Sequence, residues 1–362
     1  MSPASSPCIA RPATLDDLAE VATLLHHIFG VYQSAALLKW KFTGCMNKLT
    51  GSTVLTSNHR IVGFLGQIPE RVNRAGHEIL ATQGADIGIL EEYRRLDVFL
   101  TLIQTSVLEL KKAGVALTYG TTNEDATLTL SSLLGQQPVA AIPLLVRPLK
   151  RAASPSSRPG VATLTQLLAA CLYSVDRGAG WNRESFRDSL RVIRVERFDE
   201  RFDRFWQRIR TDYPMSVVRD AETLNWRYVN APGIVYERLG IENAMTGEIE
   251  GYSVLGMTRR DHRMRGRICD LVTPRRDKRR AAHALVAASV RWLSAQQADL
   301  ADVWMFPHAH LRVVLRLHGF IPWQTGHRGF QVSVMTPGAT PERPGAECAN
   351  NWFLSLGDSD TV

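Results

Sequence analysis

The chain of 362 residues carries a formal charge of +8, with 45% hydrophobic and 22% charged residues. These fractions are ordinary for a soluble globular protein, exclude collagen-like and low-complexity chains, and leave room for two domains. Residues 1–150 hold 13 Lys+Arg against 12 Asp+Glu, so nearly all the excess charge lies beyond them and suggests an anionic partner of unspecified kind.

The cysteines Cys8, Cys45, Cys171, Cys269 and Cys348 form no C-x-x-C pair and no zinc-spaced cluster. Free thiols in a reducing cytoplasm are therefore expected, and no metal is. Met1 to Ala10 has neither a charged n-region nor an apolar h-region, so no secretion signal is expected. The most apolar run, Val161 to Val175, is about half the span a membrane helix needs. It reads as a packed linker helix, and no transmembrane segment is expected.

Cys8 to Ala13 reads as a first strand. Thr14 then caps a helix with Asp17 three positions on, and Leu15, Leu18, Val21, Leu25 and Ile28 form its buried stripe. A short helix carries Leu37, Leu38 and Trp40, and Ser52 to Ser57 pairs with Arg60 to Ile68 around Asn58-His59. A turn at Arg74-Ala75-Gly76 leads back to the short apolar strand Ala85 to Leu90. A polar corner, Glu91 to Asp97, follows. Phe99, Leu102, Ile103, Ser106 and Leu110 then recur at helical spacing, with Lys111, Lys112 and Gly114 closing the helix. Val115 to Tyr119 is a further strand, Thr121-Thr122-Asn123 a polar exit. A strand that feeds a helix through a tight basic corner aims the helix's free N–H groups at the space beyond the strand end, where phosphate binds.

After Asn123 the pattern predicts a helix ending at Leu134-Gly135, then a strand from Ile142 to Val146. Arg151 to Gly160 is a Ser/Pro/Arg-rich linker. Val192 to Val195 reads as a strand, and Phe202, Phe205, Trp206 and Ile209 mark an amphipathic helix. The second half repeats the first. Leu38-Lys39-Trp40-Lys41-Phe42 answers to Leu224-Asn225-Trp226-Arg227-Tyr228, and Ile61-Val62-Gly63-Phe64 to Ile249-Glu250-Gly251-Tyr252. Asp86-Ile87 answers to Asp270-Leu271, and Leu134-Gly135 to His318-Gly319. The separations run from 184 to 188 residues, which predicts two copies of one domain.

With Arg11-Pro12-Ala13-Thr14 and Asp17, Glu92-Tyr93-Arg94, and Asn123 with Ala126 and Leu134-Gly135, this pattern resembles the GNAT N-acyltransferase family, present twice. The resemblance covers roughly residues 8–149 and 189–335 and implies an α/β fold. It comprises two GNAT-like domains, each a mixed, mostly antiparallel sheet flanked by helices. The implied layout is an N-terminal domain over 1–149, a linker with an apolar helix over 150–188, a C-terminal domain over 189–338 and a tail over 339–362. Family members place acyl-CoA pantetheine where the fourth strand splays from the fifth, and pyrophosphate on the next helix N-terminus. The tandem layout and the Trp-Lys-Phe and Trp-Arg-Tyr elements resemble a bacterial subgroup associated with polysaccharide synthesis, an association silent on chemistry.

The resemblance assigns the backbone of Ile87, Gly88 and Ile89 to pantetheine. It assigns Arg94, Arg95 and the amides of Leu96, Asp97, Val98 and Phe99 to pyrophosphate, and includes Asn123 among the cofactor-binding residues. Asp86, and less directly Glu92, are the candidate bases, because burial in a central strand would raise a carboxyl pKa. Asp86 has the alternative reading of a backbone-bonding strand aspartate, and Glu92 that of a solvated surface residue. His308 and His310 are further candidate bases or anion contacts.

Departures from the family pattern accompany these matches. Asp97 stands where the family has glycine, which removes a permissive φ and places a carboxylate beside the phosphates. The second corner, Thr273 to Ala281, is cationic but also lacks glycine. The positions of the usual proton-donating tyrosine are Leu130 and Val314. The run Arg259 to Arg280 holds ten Lys+Arg and no aromatic residue, and reads as a solvated cationic hairpin, so no nucleic-acid partner is expected. The expected activity is transfer from acetyl-CoA or another acyl-CoA to an amine, on a small molecule or a sugar precursor. The alternative is a silent GNAT-fold scaffold. The oligomeric state is not legible.

Overall fold

The computed structural model of the chain describes residues 7–122, 137–150, 189–260, 263–275, 279–323, 331–337, 346 and 348–359. Asn123, the helix expected after it, the Ser/Pro-rich joint and the apolar helix over residues 161–175 lie outside them.

In chain order the strands and helices are β1 (Ile9–Pro12), α1 (Leu18–Phe29), α2 (Ala35–Thr43), β2 (Thr53–Ser57), β3 (Arg60–Arg74), β4 (His77–Ile89), α3 (Leu96–Lys112), β5 (Leu117–Thr122), β6 (Gln137–Ala141) and β7 (Leu144–Pro148). Then come β8 (Leu190–Arg194), α4 (Glu200–Ile209), β9 (Met215–Val217), α5 (Ala221–Tyr228), β10 (Glu237–Asn243), β11 (Ile249–Arg260), β12 (Arg263–Val272), α6 (Arg280–Ala295), β13 (Leu300–Trp304), α7 (Leu311–Leu317), β14 (Ile321–Pro322) and β15 (Gln331–Met335).

Contacts divide the chain into two compact units. The first comprises residues 1–139, 230–234 and 331–349, and the second residues 140–229, 235–330 and 350–362. The first sheet runs β1-β2-β3-β4-β5-β15-β6, and the second β14-β7-β13-β12-β11-β10-β8. Both are mixed. Each contains a parallel ladder, β4 with β5 or β12 with β13, among antiparallel pairings. The repeat units exchange their last strands, so that β7 pairs with β13 and β15 pairs with β5. The sequence boundaries at 149 and 338 assign β7 and β15 to the opposite halves. A short apolar strand carries no mark of which sheet will receive it, so periodicity alone cannot show the exchange.

Local chemistry accounts for the elements of the first unit. Asn58 and His59 take φ of 50° and 62°, the left-handed pair that joins β2 to β3 in a two-residue hairpin turn. Thr14 and Asp17 form the expected capping box, but on a single 3-10 turn (Leu15–Asp17) that leaves Leu15 exposed rather than in the stripe. Asp17 also accepts both Arg11 Nη atoms at 2.7 Å, and this pairing holds its carboxyl down at about 2. The Arg11 to Asp17 match therefore pins the chain entering α1. On one face of the sheet, Val98, Leu102 and Ile103 of α3 pack with Leu55, Val62, Leu65 and Ile89. Each such side chain contributes about 1.5–3 kcal/mol when fully buried.

The second unit is centred on Tyr252 of β11, ringed edge-on by Phe198, Phe202 and Phe205 at 5.8, 6.1 and 6.3 Å. The expected Phe202/Phe205/Trp206/Ile209 stripe is buried along α4. In α6, Ala281, Ala282, Leu285, Val286 and Leu293 are buried, and Leu293 closes onto Gly266 of β12 so tightly that a Cβ there would lie 2.6 Å from it.

Candidate active site

β4 and β5 pair over only three positions, Ala81 to Gln83 with Leu117 to Tyr119. Beyond that ladder β4 continues to Ile89 and β5 to Thr122, so among the described residues the backbone of Gly84 to Ile89 has no strand partner on its β5 side. A bulge sets this divergence. Between Phe64 opposite Gly88 and Gly66 opposite Ala85, both Asp86 and Ile87 face the single residue Leu65. Asp86 takes φ 49°, a left-handed conformation that aspartate tolerates better than most residues. Its Oδ2 accepts from Lys41 Nζ at 2.6 Å, and Lys41 is buried.

The corner after β4 folds as a 3-10 turn over Glu91–Tyr93, followed by α3 starting at Leu96. Arg94 donates Nε to Ile89 O at 2.9 Å, which ties the corner back onto the strand end. Arg95 grips Asp97 with two contacts, Nε to Oδ1 at 3.1 Å and Nη2 to Oδ2 at 2.6 Å. This grip, with further hydrogen bonds from the helix's own first amides, holds the Asp97 carboxyl below its ordinary range.

Between the divergent part of β4, the corner and the end of α1 lies an open cleft of about 450 Å³. Ile28, Phe29, Ile87, Gly88, Ile89, Leu96 and Phe99 line it, and Arg94 and Arg95 are its charged residues. Gly88 leaves the room: a Cβ there would sit 3.0 Å from Ile28 Cδ1 and 3.5 Å from Phe29 Cζ. Seven sequence-assigned residues thus come together, namely Ile87, Gly88, Ile89, Arg94, Arg95, Leu96 and Phe99. Others do not. Val98 is buried in the core on the far side of its helix, Asp97 points to solvent, and Glu92 is exposed on the 3-10 turn. Asp86 is held by Lys41, one residue outside the lining. Asn123 lies outside the described residues.

Sequence reasoning missed Ile28 and Phe29 as cleft walls, since Ile28 reads as core periodicity and Phe29 as its neighbour. It also missed Lys41. The signal for Lys41 was the repeated Trp-Lys-Phe and Trp-Arg-Tyr element, which keeps a base between two aromatic residues.

The second unit builds the same divergence. β12 pairs with β13 only from Arg265 to Ile268, and the extra residue of its bulge is Cys269, between Leu255 opposite Ile268 and Val254 opposite Asp270. Here the chain's own tail fills the gap. His308, in the loop after β13, is hydrogen-bonded to Trp352 O at 3.0 Å, and Phe353 N donates to Met215 O at 2.8 Å. Gly357 lies against the Cys269 carbonyl, and a Cβ there would fall 2.1 Å from Tyr228 Oη. Arg219 is buried between Asp270 (Nε to Oδ2, 3.2 Å) and Asp358 (Nη2 to Oδ2, 2.5 Å). Burial opposes the Arg219 charge, but the two carboxylates hold it firmly protonated. Burial and Asp358 raise the Asp270 carboxyl, which also accepts from Tyr252 Oη at 2.8 Å. Arg227, the counterpart of Lys41, donates to Ser359 O.

The remaining candidates have structural employment. Burial pushes His310 down to about 4, and its Nε2 meets Thr273 Oγ1 at 3.2 Å beside a hollow of about 30 Å³. Val314 is buried in α7. The described residues of the basic run up to Val272 lie on β11 and β12, and Arg265 and Arg267 are half-buried, each 3.9 Å from the buried Asp302. The run's cationic face is therefore only partly solvated, because β13 places a carboxylate behind the strand. Among the described residues there is no group of His, Cys, Asp and Glu able to hold a metal, and no helix long and apolar enough to cross a membrane.

No protein-family model and no curated protein matches the sequence significantly. Solved structures do match in fold. A GCN5-related N-acetyltransferase from Anabaena variabilis superposes with a TM-score of 0.62 at 13% identity, over 92% of this chain and 73% of that one. N-myristoyltransferase from Saccharomyces cerevisiae, solved with bound myristoyl-CoA and inhibitors, gives 0.58 at 14% identity over 92% and 80%. A tandem GNAT protein from the clavulanic acid biosynthesis pathway gives 0.55 at 12% identity over 92% and 100%. At these identities the likeness is one of architecture, and the chain shares the fold of GNAT acyltransferases across both of its sheets.

Proposed function

We propose that the first unit is an N-acyltransferase that takes an acyl group from acetyl-CoA or another acyl-CoA and passes it to an amine. The observation that carries this reading is the pairing of an interrupted β4–β5 ladder with an apolar cleft along the freed part of β4. A pantetheine arm is itself a chain of amides. It can pair along Ile87 to Ile89, on the edge that β5 leaves, as an added strand would, with Ile28, Phe29, Leu96 and Phe99 covering its methylenes.

In this reading the amine nitrogen attacks the thioester carbonyl carbon, the C–S bond breaks, and the thiolate leaves. The nitrogen gives up a proton and the thiolate takes one, both through water. Among the described residues the cleft lining has no carboxylate, imidazole or phenol, so positioning supplies most of the rate. Asp86, oriented by Lys41 next to the lining, is the carboxylate placed to receive the amine proton through water. The acceptor is a small-molecule or sugar amine.

Asp97 favours a second reading, a GNAT-fold binding or scaffold protein without turnover, since its carboxylate stands at the N-terminus of α3 where a diphosphate would sit. Thermal-shift titration with acetyl-CoA decides whether the cleft is a donor site, and stabilisation at millimolar ligand is the expected result. No shift removes the enzyme reading. Stabilisation without thiol release across a panel of amines would leave the scaffold.

A further inference from the structure

Resting on the acyl-thioester reading of the same cleft, we infer that it recognises its donor through the S-acyl-4′-phosphopantetheine arm alone. The 3′-phospho-ADP portion of coenzyme A stays outside and adds no affinity.

Charge and donor accounting lead to this inference. The cleft's wall is apolar apart from Arg94 and Arg95 at its rim. The Arg95 guanidinium is already neutralised by the two-contact pairing with Asp97, so that pair presents no net charge to a ligand. The Asp97 carboxylate stands in the first turn of α3, beside the amides that would otherwise meet a diphosphate. Arg94 remains, tied by its Nε contact to Ile89 O and lining the cleft. One fixed cation suits one phosphate. Coenzyme A brings a diphosphate and a 3′-phosphate, and beyond the first phosphate these meet a carboxylate rather than amides.

The steric side agrees. The cleft of about 450 Å³ falls in the size range of sites that bury a small-molecule ligand. Leu96 and Phe29, both substantially exposed, stand at its edge where a diphosphate loop would offer bare backbone. An arm of this kind reaches a protein from two sources, as a free small molecule or on the serine of an acyl carrier protein.

The test is calorimetric titration of the full chain with acetyl-4′-phosphopantetheine, acetyl-CoA and an acetylated carrier protein. Affinities of the first two ligands within about threefold of each other are expected. Acetyl-CoA binding at least tenfold more tightly overturns the inference while leaving the acyltransferase reading in place. If neither ligand binds at millimolar concentration, both fall. Asp97→Gly should strengthen acetyl-CoA binding at least tenfold with little change for the truncated arm, and equal gains for both would contradict the inference. Tighter binding of the carrier protein than of the free arm assigns the source to a carrier, and equal or weaker binding assigns it to the small molecule. Either result upholds the arm as the recognised part.

Discussion

The two sheets open the same gap and do opposite things with it. In the first, β4 leaves β5 after Gln83, and apolar side chains wall an open cleft. In the second, β12 leaves β13 after Ile268, and the segment Trp352 to Ser359 fills the space with buried side chains and a closed charge network. The bulge is present in both, so the bulge makes the gap and does not decide its use. The neighbouring basic residues differ in their partners. Lys41 ends on Asp86 within the first unit, whereas Arg227 reaches the tail and Arg219 holds Asp270 and Asp358 together. A duplicated fold can thus leave one gap open and convert the other into an anchor for its own end.

The largest test of this contrast is Arg219→Met. It leaves Asp270 and Asp358 buried without a counter-charge, and loss of about 3–5 kcal/mol is expected in denaturant unfolding of the second unit. Gly357→Ala should cost about 1–3 kcal/mol by overpacking against Tyr228, and should make the tail more sensitive to carboxypeptidase. An unchanged midpoint and an intact tail would show that the segment does not fill the gap.

Acid sharpens the comparison further. Burial depresses His310 and His318 to about 4 in the folded chain, so between there and about 6.5 the unfolded chain binds more protons. The stability these residues provide is complete above about 6.5 and falls by about 1 kcal/mol per pH unit for each as pH drops towards 4. Both histidines belong to the second unit, and fluorescence-detected unfolding against pH should therefore show its transition moving first. The smallest effect is expected from Leu96→Ser at the cleft edge. This residue is exposed, so stability should stay within about 0.5 kcal/mol while donor affinity falls a few-fold in the same titration.

Much of this was legible in the sequence. The repeat fixed the expectation of two like domains, and the strand-corner-helix segment from Ala85 to Leu110 brought together most of the residues that line the cleft. Two things were not legible, for physical reasons. Exchange of β7 and β15 leaves no periodic trace, because a five-residue apolar strand satisfies either sheet. The tail from Trp352 to Asp360 is apolar and then acidic, which suits docking back on the body and a partner contact equally, and only the structure shows Phe353 and Asp358 buried against Arg219. Asp86 shows the same limit: the strand aspartate is visible in the sequence, but the buried lysine 45 positions away that orients it is not.

The most direct test of the account is the stoichiometry and location of thioester binding. Calorimetric titration of the chain with acetyl-4′-phosphopantetheine should give one site per chain. Gly88→Val, which puts a branched side chain against Ile28 and Phe29, should abolish it, and Gly357→Ala should leave it intact. Two sites per chain, or one site that survives Gly88→Val, would contradict the assignment of an open slot to the first sheet and a filled one to the second.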